Sequence, residues 1–197
     1  MPKGIPLTEE EQEKRRKEIF DASVHLFLEK GFTETSMREI AKASGVGKST
    51  LYDYYQSKDE ILVSYFADEI SGITNKAKEI SRQNISNLEK LKQIMKMHMG
   101  YLVAKKQVFL KLSLEAQRLT AESQAQIQKH RHDYQDLLRS LIEEGIRSGE
   151  FKTINPLLAA RSIFSLLSLA IYTSRPTGTP EEMLEEAMII YFQGIQG

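Results

Sequence analysis

Apolar residues recur every three or four positions along most of the chain, and no five-residue run alternates convincingly between apolar and polar. The spacing predicts helices over roughly 9–30, 36–44, 47–54, 58–82, 87–106, 108–119, 122–148, 156–174 and 180–194. Helix starts are legible in detail. TEEE at 8–11, SMRE at 36–39, SKDE at 57–60, SNLE at 86–89 and TPEE at 179–182 each place a hydroxyl three residues before a glutamate. In that arrangement the hydroxyl satisfies an orphan backbone N–H, and the carboxylate reaches back to the cap. Asn155-Pro156 is a further start, and Gly31, Gly45 and Gly149 are the stops. The fold class read from this pattern is all-α.

Charge and composition narrow the picture. The 197 residues suffice for one or two domains. Lys plus Arg equals Asp plus Glu at 27 each, so total charge gives no argument for a nucleic-acid partner. There is no cysteine, which removes disulfides and thiolate metal sites. The charged N-terminus lacks the apolar core of a signal peptide. The most apolar run, 157–174, contains Arg161 and several serines and is short for a membrane span. A cytoplasmic chain with no membrane partner is expected. The run EKRRKE at 13–18 is a solvated face opposite Ile19, Ala22, Leu26 and Phe27, or else supplies a phosphate contact.

The stretch SGVGKST at 44–50 resembles the end of a nucleotide-binding loop. A nucleotide hydrolase using Gly47-Lys48-Ser49 needs a glycine five positions before Gly47 and a strand before that. Position 42 is Lys42, and Met37, Ile40, Ala41 and Ser44 sit at helical spacing. Two short helices joined by a glycine-containing turn describe a helix-turn-helix instead. Gly45-Val46 forms the turn. The second helix offers Gly47, Lys48, Ser49, Thr50, Tyr52 and Tyr54 outward, with Leu51 and Tyr55 toward the core. Small, polar and basic groups at its start suit a major groove.

Residues 19–62 resemble the DNA-binding domain of the TetR family of transcriptional regulators. The matching positions are Ala22, Leu26-Phe27, Gly31-Phe32, Thr35-Ser36, Ile40-Ala41, Gly45-Val46, Thr50-Leu51-Tyr52, Tyr54-Tyr55, Lys58 and Leu62. Tyr55 stands where the family more often has Phe. The resemblance implies an N-terminal three-helix DNA-binding domain over 1–57 and a larger helical effector-binding and dimerisation domain over 58–197. It implies that Ser36 and Arg38 contact phosphate or an adjacent base, and that Lys48, Ser49 and Thr50 read or clamp the groove. Tyr52, Tyr54 and Lys58 are then expected on backbone phosphates. Asp53 either accepts from a cytosine amino group or faces solvent. Residues 35–58 carry four basic and two acidic side chains, a modest field, so affinity is expected to rely on two heads acting together.

The remaining residues show no catalytic constellation. His130 and His132 lie at i and i+2, on different faces of a helix, so no metal site is read there. His98 shares an apolar stripe with Leu91, Met95 and Leu102 and is either a bonded core histidine or a polar group in a ligand cavity. The resemblance implies a small effector among the helices after the fourth, expected to be apolar or aromatic and lined by Phe66, Met95, His98, Met99, Leu102, Leu112 and Tyr134. No cofactor is expected. The two C-terminal helices, with Ile163, Leu167, Ala170, Leu184, Met188 and Tyr191, are expected to form a homodimer interface. These features together imply a repressor released from a palindromic operator by its effector. An activator, or a regulator with no small effector, is the alternative.

Overall fold

The computed structural model describes residues 7–195, apart from the side chains of residues 169–171. Eight helices appear among the described residues, with no β-strand: α1 Glu9–Lys30, α2 Met37–Ala43, α3 Lys48–Tyr54, α4 Lys58–Ser81, α5 Asn87–Ala116, α6 Ala121–Arg147, α7 Pro156–Tyr172 and α8 Pro180–Ile195.

Local chemistry explains most boundaries. Thr8 with Glu11 and Ser36 with Glu39 close full capping boxes at α1 and α2. At α8 the Thr179 amide donates to Glu182 at 2.8 Å while the Glu182 amide donates to the Thr179 hydroxyl at 3.2 Å. The start of α5 departs from the sequence reading. Ser86 accepts from the Glu89 amide at 3.2 Å, but the Glu89 carboxylate accepts from the Gln93 side chain at 3.0 Å in place of the cap. The Glu150 carboxylate takes the Asn87 and Leu88 amides at 3.0 and 2.7 Å. An anion placed there also meets the positive end of the α5 dipole.

The helices expected over 87–106 and 108–119 are one helix, α5. Its apolar stripe runs without a break through Leu91, Met95, Leu102, Phe109, Leu112 and Ala116, and Lys105-Lys106-Gln107 contains neither glycine nor proline to stop it.

The chain divides into two compact units. The first comprises the chain up to Ala67 with Leu110–Ile127. Here α1 packs on α2 and α2 on α3 around buried Ile19, Leu26, Phe27, Ile40, Leu51, Tyr55 and Leu62. The second comprises Asp68–Phe109 and the chain from Gln128 onward. Its core gathers Leu91, Met95, Met99, Tyr134, Leu138, Ile163, Leu167, Leu184 and Met188. The Tyr191 hydroxyl donates to the Ala159 carbonyl at 2.9 Å, fastening α8 to α7. α4, α5 and α6 each contribute residues to both units.

Gly145 shows how closely the second core fits. A Cβ there would meet the Phe151 ring at 2.2 Å, whereas one at Gly72 in α4 meets open space. Gly145→Ala is expected to lower unfolding stability by about 1–3 kcal/mol through overpacking. Gly72→Ala is expected to raise it by about 0.5–1 kcal/mol through helix propensity. Denaturant unfolding of both variants checks the pair, and equal stabilities would contradict the packing described for Phe151.

Candidate DNA interface and effector cavity

The residues expected to face DNA are positioned by three devices in the first unit. Gly45 turns the chain with φ +69°, a conformation costly for other residues, and the Val46 amide donates to the Ala41 carbonyl at 3.0 Å. Leu51 and Tyr55 are buried, which fixes the rotation of α3. Lys48 and Ser49 are then exposed, with Thr50, Tyr52 and Tyr54 half-buried and Asp53 exposed. The Lys48 ammonium lies 5.9 Å from the Tyr52 ring centroid, one helical turn away. The GVGKST stretch thus opens a helix that follows another helix and a turn, not a strand.

Two expected phosphate contacts hold structural bonds as well. Ser36 accepts from the Glu39 amide at 3.2 Å and donates to the Glu39 carboxylate at 2.9 Å. Lys30, bonded to Glu39 at 2.7 Å, together with the Ser36 cap, holds that carboxyl down at about 2. Arg38 is exposed beside it. Lys58 donates to the Phe32 and Thr33 carbonyls at 2.7 and 3.1 Å and sits 4.8 Å from the Phe32 ring centroid. It ties the start of α4 to the chain just after α1, with one ammonium proton still free.

The second unit contains a cavity of about 360 Å³. Its walls are His98, Leu102 and Phe109 from α5, Gln128, Arg131 and Gln135 from α6, and Phe164, Leu167, Ser168 and Tyr172 from α7. His98 is 7 % exposed, and its Nδ1 lies 3.2 Å from the Tyr134 hydroxyl. Burial pulls the imidazole down to about 4, so it is neutral, and pushes the Tyr134 hydroxyl up. Arg131 is half-buried with no acidic partner among the described residues. Burial lowers its pKa, opposed by the nearby Tyr172 hydroxyl. A groove of about 400 Å³ on α5 and α8 is lined by Lys92, Lys96, Glu185 and Ile189. It lacks a buried polar group.

The cavity gathers only part of the expected effector set. His98 and Leu102 line it. Tyr134 stands behind His98, and Met95 and Met99 are core residues of the same unit. Phe66 and Leu112 belong to the other unit, so they do not join that cluster. Phe109, Gln128, Arg131, Gln135, Phe164, Ser168 and Tyr172 were not anticipated. The available signal was Gln128, Arg131 and Gln135 at i, i+3 and i+7, a polar line beside the buried stripe of α6.

The expected dimer positions need a correction. Ile163, Leu167, Leu184, Met188 and Tyr191 are at most 8 % exposed within one protomer, so they face its own core. Ala170 lies outside the described side chains. The outward apolar positions of α7 and α8 are Leu158, Ile189 and Ile190, at 64, 56 and 73 % exposure. Periodicity finds an apolar stripe but does not say which of two apolar faces turns inward.

Residues 19–65 match the family model described as bacterial regulatory proteins, tetR family. Residues 84–195 match the model described as tetracyclin repressor-like, C-terminal domain. The chain is similar to a fatty acid metabolism regulator protein of Bacillus subtilis, 28% identical over 157 residues, which are 79% of this chain and 81% of that one. It has the fold of the transcriptional regulator FadR from Bacillus subtilis in complex with stearoyl-CoA. That structure gives a TM-score of 0.77 at 24% identity, over 91% of this chain and 99% of the other. AibR in complex with isovaleryl coenzyme A and operator DNA gives 0.68 at 21%, over 90% and 98%.

Lys48→Ala is expected to cost about 1–3 kcal/mol more on a specific duplex than on a random one. Lys58→Ala is expected to weaken both alike and also to lower the Tm, because two carbonyls lose their donor. Gel-shift titrations with a melting curve separate the two. Equal losses on both duplexes for Lys48→Ala would remove it from base readout. A second expectation concerns pH. The unfolded His98 protonates near 6.5 while the folded one resists to about 4, so the unfolded state binds more protons in that window. Stability therefore falls as pH drops from 6.5 and levels off near 4. Between these limits the wild type is expected to lose about 3 kcal/mol more than His98→Gln. Parallel stability curves for the two proteins would contradict a neutral buried imidazole.

Proposed function

The chain belongs to the TetR family of transcriptional regulators, and on that premise we propose that it is a cytoplasmic homodimeric repressor released from a palindromic operator by an anionic amphiphile. Within it, residues 1–57 read DNA, and residues 58–197 bind effector and dimerise. The observation that carries the effector class is Arg131. A half-buried guanidinium without an acidic partner among the described residues, at the wall of a cavity that also presents Leu102, Phe109, Phe164 and Leu167, is a costly arrangement for the empty protein and a ready partner for a carboxylate or phosphate head group. The relatives that carry stearoyl-CoA and isovaleryl coenzyme A support acyl thioesters as the class. At roughly 30 Å³ per water-sized group, the cavity encloses about a dozen non-hydrogen atoms, so a coenzyme head group stays outside. A cavity that the chain's own side chains leave open supports an effector-controlled regulator over one without an effector.

Release requires that the effector bind the released conformation better than the DNA-bound one. Because α4, α5 and α6 each run through both units, displacement of the cavity walls is carried along continuous helices and changes the separation of the two heads. A second copy covers Leu158, Ile189 and Ile190, which otherwise leave an apolar face in water.

Arg131→Ala is expected to weaken acyl-coenzyme A binding by about ten- to a hundredfold, the loss of a charged hydrogen bond, with DNA affinity unchanged. Calorimetry and anisotropy on the same preparations test it. An unaltered response of the variant would remove Arg131 from the effector site. Light scattering is expected to give twice the 22.5 kDa of the chain, and Ile190→Glu is expected to give the single mass. A monomeric wild type would contradict the dimer.

A further inference from the structure

The cavity has two unlike ends. Along α5, His98 and Phe109 are eleven residues apart, about 16 Å at the rise of an α-helix. Phe109 lies beside Tyr172, with ring centroids 6.4 Å apart, and Tyr172 is 41 % exposed and near enough to Arg131 for its hydroxyl to feel that charge. This is the open, cationic end. His98 is enclosed by Tyr134 and Phe164, with ring centroids 5.4 and 6.0 Å away, and forms the closed end.

The hydrogen count at the closed end fixes what it offers. Tyr134 is 2 % exposed, and among the described residues the one partner of its hydroxyl is His98 Nδ1. If Nδ1 carried the ring hydrogen, the hydroxyl hydrogen would be buried with no acceptor, an arrangement that costs the full desolvation of a donor. The hydroxyl therefore donates and Nδ1 accepts. The neutral ring then bears its hydrogen on Nε2. Nε2 has no partner among the described residues, and the ring lines the cavity. A deep N–H donor without an acceptor is a binding determinant, and a hydrocarbon tail leaves it unsatisfied.

We propose that the effector carries, besides its anionic head at Arg131, a hydrogen-bond-accepting oxygen — a ketone, hydroxyl or ether — that reaches His98 Nε2 at the closed end. This deepens the effector reading above and rests on it. A saturated acyl chain of equal length fits the space and binds less well, because polar sites discriminate against ligands that leave their groups unpaired.

The test compares decanoyl-coenzyme A with three twins bearing one ketone oxygen near the head, at mid-chain and near the tail. Affinities are measured by calorimetry on the full-length protein. One ketone twin is expected to bind the wild type on the order of ten- to a hundredfold tighter than the saturated ligand. The preference is expected to vanish in His98→Leu. Because that change orphans the Tyr134 hydroxyl, His98→Leu/Tyr134→Phe, which removes both polar partners together, is measured beside it. Arg131→Ala is expected to weaken all four ligands alike. Nitrogen-15 NMR of the free protein is expected to find the ring hydrogen on Nε2. Equal affinities for all four ligands, a ketone preference that survives in both His98 variants, or a ring hydrogen on Nδ1 would overturn this proposal and leave the repressor reading standing. If none of the four binds to protein that still binds DNA, both fall.

Discussion

A seven-residue helix does not persist in water, because nucleating its first turn costs more than so few backbone bonds return. Both helices of the DNA-reading motif, α2 and α3, have that length. Their existence depends on burial of Ile40, Ala41, Leu51 and Tyr55 against the longer helices of the first unit. That burial leaves Lys48 and Ser49 outward on the first turn of α3, and every DNA contact proposed here inherits its direction from it. The Lys58 ammonium adds a polar clamp on the Phe32 and Thr33 carbonyls, so one cation supports the motif and retains a proton for phosphate.

The effector body obeys the opposite economy. There a continuous apolar core tolerates a few polar groups, and most of them find partners within the unit. Tyr191 is satisfied by the Ala159 carbonyl, and the first amides of α5 by Glu150. Tyr134 is satisfied by His98. Among the described residues His98 Nε2 and the Arg131 guanidinium are not, and both residues line the same cavity. Asn87 Oδ1 is also buried without a partner among the described residues, but it stands alone at the start of α5, whereas these two donors share one cavity, which supports reading it as a binding site.

Features written into a few neighbouring residues were legible in the sequence. The caps at Thr8, Ser36, Asn155 and Thr179, and the glycine stops at Gly31, Gly45 and Gly149, depend on local spacing and appear as expected. The helix-turn-helix was legible for the same reason. What failed depends on long-range packing. The sequence pattern suggests a break near residue 107, whereas a stripe spanning both halves keeps α5 whole. The stripe of Leu167, Leu184 and Met188 was read as outward because α7 is apolar on several faces, and only the packed body shows which face is inside. His98 was found because a polar residue on an apolar stripe stands out. Arg131 was missed because a charged residue on an otherwise polar helix does not.

The central claim is that α3, presented in pairs, reads DNA sequence. Selection of bound duplexes from a random pool by the purified protein tests it most directly. The account predicts enrichment of an inverted repeat whose half-sites present their centres about 34–36 Å apart, one helical turn. It also predicts that Lys48→Ala protein loses this enrichment. A pool that stays random with the wild type, or one enriched in a single unrepeated site, would contradict it.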